Sequence, residues 1–221
     1  MRRGPETGPI RRGLYRLLWL LMNGLFRVYF RMRVRGRPRP FPAGPLVVAA
    51  NHTSYLDPLL LGLALPRRIT YLVTSAVYER PFYRPWMWFF GAIKVQDGSV
   101  NVEAMRRALA VLRSGGVVGI FPEGGISDDQ RLQEGQIGVA SLLLQGGAPV
   151  LTAGLIGTHQ ALPRGSALPR PARVEVNFSD FVRPDQLDAA LAPRVARREL
   201  RDRVMAAIAR GLPETMQPRS T

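Results

Sequence analysis

From Leu46 onward the chain alternates short apolar runs with longer amphipathic stretches, and this alternation restricts the fold more than any other feature. Residues 46–50, 69–74, 91–95, 117–121, 150–155 and 174–178 read as strands. Residues 58–65, 101–113 and 136–145 read as helices, and 186–210 as mostly helical. Asp57 is expected to cap the first helix, with Pro58 suited to its first position. Val102, Met105, Leu109 and Leu112 recur at helical spacing and should form the buried stripe of the second. The repeated strand–helix order predicts the α/β class: one layered domain with a mixed, partly parallel sheet flanked by helices. In such sheets, sites gather at the carboxyl ends of strands. The length of 221 residues suits one domain, expected over residues 41–212, with no internal repeat.

The amino-terminal part is different. Residues 1–40 hold eleven arginines and one acid, Glu6. Residues 1–12 read as disordered, 14–34 as one helix, and 35–45 as a Pro/Gly/Arg-rich connector. The longest uncharged run in that helix, residues 17–26, is ten residues, where a membrane span needs roughly 20. No small-residue cleavage site follows it, which argues against a secretory signal. Arginines at its edges, with Trp19, Phe26, Tyr29 and Phe30, fit an amphipathic helix lying in a membrane interface. The competing reading is a core helix whose arginines snorkel outward. A second aromatic stretch, residues 81–90, reads equally as core or as a membrane-facing surface. The tail over 213–221 reads as flexible.

The formal net charge is +15. It favours anionic partners: lipid headgroups, nucleic acid or acidic proteins. Nucleic acid is disfavoured, because no zinc spacing or aromatic RNA-binding motif accompanies the charge. Cysteine is absent, which excludes disulfides, thiolate metal sites and cysteine nucleophiles. Two histidines, His52 and His159, leave little for a metal centre, and none is expected.

Two polar turns follow apolar runs. The first is Asn51-His52-Thr53-Ser54-Tyr55-Leu56-Asp57. A neutral imidazole accepts a proton near pH 7, and a carboxylate can fix its tautomer and stabilise its charged form. No G-x-S-x-G elbow occurs, so such a base would activate a substrate hydroxyl. The plainer alternative is a helix-capping Asp57 and a structural His52. The second turn is Phe121-Pro122-Glu123-Gly124. Gly124 permits special backbone angles, and Glu123 is placed to receive a polar substrate group. The alternative there is a tight turn with a surface glutamate. His159 reads as structural or surface.

In this order and at these distances, the two turns resemble the glycerolipid acyltransferase family of the 1-acylglycerol-3-phosphate acyltransferase type. Its pattern is N-H-x-x-x-x-D, a G-x-I strand, F-P-E-G, then an apolar strand opened by proline. The resemblance covers about residues 40–180. It implies that His52 deprotonates an acceptor hydroxyl, that Asp57 orients His52, and that the alkoxide attacks an acyl-coenzyme A or acyl carrier protein thioester. Phe121, Pro122, Glu123 and Gly124 then shape the acceptor site. The implied partners are a lysolipid acceptor, an anionic membrane surface on its cytoplasmic face, and acyl carrier protein if that is the donor. No bound cofactor is implied.

Departures cluster where the family grips phosphate. Asp97 stands near the usual second-motif arginine, with Lys94 as a candidate substitute. Ile126 replaces the third-motif arginine, Glu134, Gly135 and Gln136 fill a region that is often basic, and Thr152 stands for the second proline of the fourth motif. Arg131 is near enough in sequence to contribute. These changes leave open another acceptor, such as a different lysolipid, a glycolipid or an amino-lipid. A lipid-binding protein without catalysis and a hydrolase using water are the rivals from other classes.

Overall fold

The computed structural model describes residues 9–74, 92–95, 102–166 and 168–218. Among them, strands β1 (Arg33–Arg35), β2 (Leu46–Ala50), β3 (Ile69–Thr74), β4 (Ile93–Val95), β5 (Val117–Ile120), β6 (Val150–Ile156) and β7 (Glu175–Val182) form one seven-stranded sheet in the order β1-β7-β6-β2-β5-β3-β4. Strands β6, β2, β5, β3 and β4 run parallel, β7 is antiparallel to β6, and β1 is parallel to β7. The mixed α/β sheet expected from the sequence is therefore present.

Helices cover both faces, which is why β2, β5 and most of β6 are buried throughout. Along β2 the pleat sends Leu46, Val48 and Ala50 to one core, and Val47 and Ala49 to the other. The first core lies under α1 (Pro9–Tyr29) and α2 (Asp57–Ala64). The second lies under α3 (Val102–Arg113), α4 (Ile137–Gly146) and α6 (Pro193–Arg210). A short α5 (Thr158–Ala161) follows β6.

Several expectations change. The amino-terminal helix begins at Pro9 and ends at Tyr29, not at residue 34. Beyond it the burial period drops to two: Phe30 and Met32 face the core, and Arg31 and Arg33 face solvent. Arg31 takes φ +44°, which turns the chain into β1 beside β7. On α3, Val102 is 85 % exposed, and the buried stripe is Ala104, Ala108, Leu109 and Leu112. Met105, Leu109 and Leu112 lie on the core side as expected, and Ala104 and Ala108, whose small side chains let the helix approach the sheet, complete the face in place of Val102. Residues 187–192 are not helical, and α6 starts at Pro193. In the segment 213–218, Glu214–Met216 forms a 3₁₀ turn, and Gln217 Nε2 donates to the Ala209 and Leu212 carbonyls. The aromatic stretch 81–90 lies outside the described residues, as does Asp97.

Both faces of α1 are apolar. Phe26 and Phe30 pack into the core, and Asn23 Nδ2 donates to Leu63 O on α2. On the opposite side Leu17, Leu20, Leu21, Leu25 and Val28 are exposed. Among the described residues no helix is long and apolar enough to cross a membrane.

Candidate active site

The site begins where β2 ends. Asn51 acts as a surrogate peptide there: its Oδ1 accepts from Leu155 N at 2.7 Å, and its Nδ2 donates to Leu155 O at 3.0 Å. The two bonds extend the β2–β6 pairing by one step and fix where His52 leaves the sheet. The next four residues loop back so that Asp57, fully buried, meets the histidine. His52 Nδ1 lies 2.9 Å from Asp57 Oδ2.

The same Oδ2 accepts the backbone N–H of Thr53 and of Ser54, each at 2.7 Å. Asp57 therefore does not cap α2, as the sequence suggested; no side chain caps that helix. It sits in the first turn, and its carboxylate is directed back at the loop. Two N–H donors hold Oδ2 as an acceptor, so the ring nitrogen facing it carries the proton. This leaves the Nε2 lone pair as the basic position of the ring. The side chain of His52 is 16 % exposed, enough to be reached.

The second turn arrives from β5 and surrounds His52. Phe121 stacks on the imidazole, with ring centroids 4.2 Å apart and planes 21° apart. Tyr71 lies behind Phe121 at 6.1 Å and anchors its hydroxyl on Pro58 O at 2.7 Å. Phe121 thus fixes the plane of the ring. Pro122 is buried, and its carbonyl accepts from Gln136 N at 2.8 Å. Gly124 N closes the turn on Phe121 O at 3.0 Å. Gly124 has φ +75°, so the backbone favours glycine there, and a Cβ would also make the Gln136 amide move aside.

Both oxygens of Glu123 are engaged by the main chain. One oxygen accepts His52 N at 2.7 Å and the other accepts Gln133 N at 3.0 Å. Ser127 N donates to His52 O at 2.8 Å. The main chain of His52 is therefore clamped on both sides by the 123–133 loop. Burial pushes the Glu123 carboxyl up to about 7, against the downward pull of the Gln133 and His52 N–H groups.

The two candidate cations sit on different elements. Arg131 Nη1 donates to Gln217 O at 3.1 Å, towards the carboxyl-terminal segment. Lys94 is exposed on β4, three strands from β2, or about 14 Å at ordinary strand spacing. The hydroxyls beside His52 are structural: Thr53 Oγ1 pairs with Thr158 Oγ1 at 2.9 Å, and Ser54 Oγ donates to Leu162 O at 3.0 Å. His159 lies on α5. An open cleft of about 690 Å³ at the end of β6 is lined by Gln130, Gln160, Arg173 and Met216 among others, and neither His52 nor Asp57 lines it. Among the described residues no group of three or more His, Asp or Glu is placed to hold a metal ion. Asn51, Ser127 and Gln133 escaped the sequence reading. Only Asn51, adjacent to His52 at a strand end, left a signal there.

A histidine held by a carboxylate, stacked and clamped with Nε2 unengaged by that carboxylate, is able to accept a proton at Nε2. Comparisons agree on the lineage. A chloroplastic 1-acyl-sn-glycerol-3-phosphate acyltransferase of Arabidopsis thaliana is 28% identical over 141 residues, 62% of this chain and 39% of its own length. A second chloroplastic enzyme of that name, from Brassica napus, is 30% identical over 124 residues, 55% of this chain and 36% of its own. The chain thus aligns with well under half of the length of these plant relatives. The lyso-ornithine lipid O-acyltransferase of Pseudomonas aeruginosa is 28% identical over 165 residues, 74% of this chain and 61% of its own. The crystal structure of the 1-acyl-sn-glycerophosphate acyltransferase PlsC from Thermotoga maritima shares the fold, with a TM-score of 0.70 at 19% identity over 94% of this chain and 82% of that one. The Acyltransferase family model matches residues 31–156, more than half of the chain and the whole stretch that carries both turns, and the chain belongs to that family.

Proposed function

We propose that this chain moves an acyl group from a thioester of coenzyme A or acyl carrier protein to the free hydroxyl of a lysolipid, giving phosphatidic acid from 1-acylglycerol 3-phosphate. The observation that carries this reading is the His52–Asp57 pair, with Nδ1 committed to the carboxylate and Nε2 left as the base. His52 Nε2 takes the hydroxyl proton as the oxygen attacks the thioester carbonyl. Asp57 stabilises the imidazolium that forms. Collapse of the tetrahedral intermediate breaks the carbon–sulfur bond, and the imidazolium returns its proton to the departing thiolate. No acyl-enzyme is required, in keeping with the structural engagement of Ser54 and Thr53. Positioning is then the main catalytic task, and the clamp on His52 serves it.

A specific observation favours a second acceptor. Ile126 stands where a phosphate-binding arginine is expected, and Arg131 is turned towards Gln217. Isoleucine offers no charged hydrogen bond to a phosphate. The similarity to a lyso-ornithine lipid O-acyltransferase gives the alternative a concrete form, a lysolipid whose headgroup is an amino acid.

The exposed stripe of α1 is the membrane contact in this proposal, on the cytoplasmic face where thioester donors are available. Its other face packs on α2, whose first residue is Asp57, so the bilayer and the base sit on linked elements. The deciding assay pairs long-chain thioesters with 1-acylglycerol 3-phosphate and lyso-ornithine lipid, with products identified by mass. Wild type should acylate at least one acceptor, and H52A should fall by about 10² or more. Equal turnover by folded H52A refutes the mechanism. Lipid binding without product from any donor makes the chain a binding protein, and free fatty acid formed without acceptor makes it a hydrolase.

A further inference from the structure

Between α5 and β7 the chain makes a proline- and arginine-rich excursion over residues 162–174. Its shape is held at three points. Ser166 N donates to Pro163 O at 3.0 Å, Arg170 N to Ala161 O at 2.7 Å, and Tyr29 Oη to Pro169 O at 3.0 Å. Near its middle Leu168 is 74 % exposed. A braced loop that presents a large aliphatic side chain to solvent has an apolar contact to offer. Tyr29 is the last residue of α1, so the loop is tied to the end of the helix where Leu25 and Val28, the latter 79 % exposed, point outward. Arg27 and Arg31 are exposed at that helix end, and Arg164 and Arg170 are exposed in the loop. Of these, Arg164 is paired with Asp128.

Apolar side chains rimmed by arginines are chemically matched to an anionic bilayer: the first enter the headgroup–acyl boundary and the second hold phosphates. We propose that this loop is a second lipid contact, in which Leu168 inserts beside the Leu25–Val28 end of α1, with Arg170, Arg27 and Arg31 on the anionic headgroups. The inference rests on the reading that α1 lies on the bilayer. It adds a mechanical consequence. One interfacial helix lets the domain roll about the helix axis, and an off-axis contact selects one roll angle. The loop is joined to the catalytic turn, because Leu162 O accepts Ser54 Oγ and Thr158 pairs with Thr53. A fixed roll angle therefore sets the height of His52 above the lipid.

The test is sedimentation of the full chain with phosphatidylcholine vesicles, with and without phosphatidylglycerol. One arginine beside an anionic leaflet is worth about fivefold in partitioning. R170E should lower binding to anionic vesicles by about fivefold or more and leave neutral vesicles unchanged. L168S should lower both by about tenfold, with unaltered circular dichroism and unaltered turnover of a dispersed short-chain acceptor. L168W should tighten both, since indole favours the interface. Wild-type binding that all three variants reproduce overturns the loop contact and leaves the α1 contact standing. Failure of wild type to sediment overturns both.

Discussion

Replacing Glu123 by glutamine isolates the clamp on His52. In the folded chain burial raises this carboxyl to about 7 from an ordinary 4.5. The folded state then holds the proton more tightly than the unfolded chain between those values. Stability from this group is fully present below pH 4.5 and is lost as pH rises towards and through 7. For these two pKa values, linkage gives a loss of about 2–3 kcal/mol between pH 5 and pH 8. Glutamine has no such titration. It still accepts His52 N through its carbonyl, but it presents an NH₂ to Gln133 N, which costs about 1–3 kcal/mol for the unpaired donor. Denaturant unfolding of wild type and E123Q across this pH range, with the two curves subtracted, cancels every other titrating group. The advantage of wild type over E123Q should shrink by about 2–3 kcal/mol from pH 5 to pH 8. A difference that is flat with pH, or that grows, refutes the argument that burial outweighs the two N–H donors.

The other predictions concern the base, the turn and the membrane face. D57N should lower kcat by about 10³–10⁴, because the ring loses both its fixed tautomer and its counter-charge; a drop confined to KM would show that Asp57 serves binding instead. G124A should destabilise by about 1–3 kcal/mol through positive φ and the clash with Gln136, and Q136A should relieve only part of this; full rescue in the double variant would show that the backbone is not strained. L21E/L25E should reduce vesicle binding without loss of fold, since both side chains are exposed on α1. Substitution is the sharper test than removal of residues 1–34, which would also extract Phe26 and Phe30 from the core.

Sequence alone determined the layer architecture and the two turns. Continuous apolar runs such as Leu46–Ala50 need helices on both faces, and polar residues that follow such runs fall at the ends of the strands. His52, Asp57, Phe121 and Gly124 were therefore legible in the order of residues itself, as types suited to a base, its orienter and a tight turn. Tertiary structure decided what each one touches. Asp57 reads equally well as a helix cap until Thr53 N and Ser54 N are seen to converge on its Oδ2. Glu123 reads only as a carboxylate at a strand end until its two oxygens are found on the backbone N–H groups of residues 52 and 133. Arg131 shows its link to the carboxyl-terminal segment only when Nη1 is seen to donate to Gln217 O. Local patterns encode periodicity and turn chemistry because those depend on near neighbours. Asp57 finds its partners within five residues, but Glu123 meets His52 N from 71 residues away and Arg131 meets Gln217 from 86, and such pairings are settled only when the sheet order brings β2, β5 and β6 side by side.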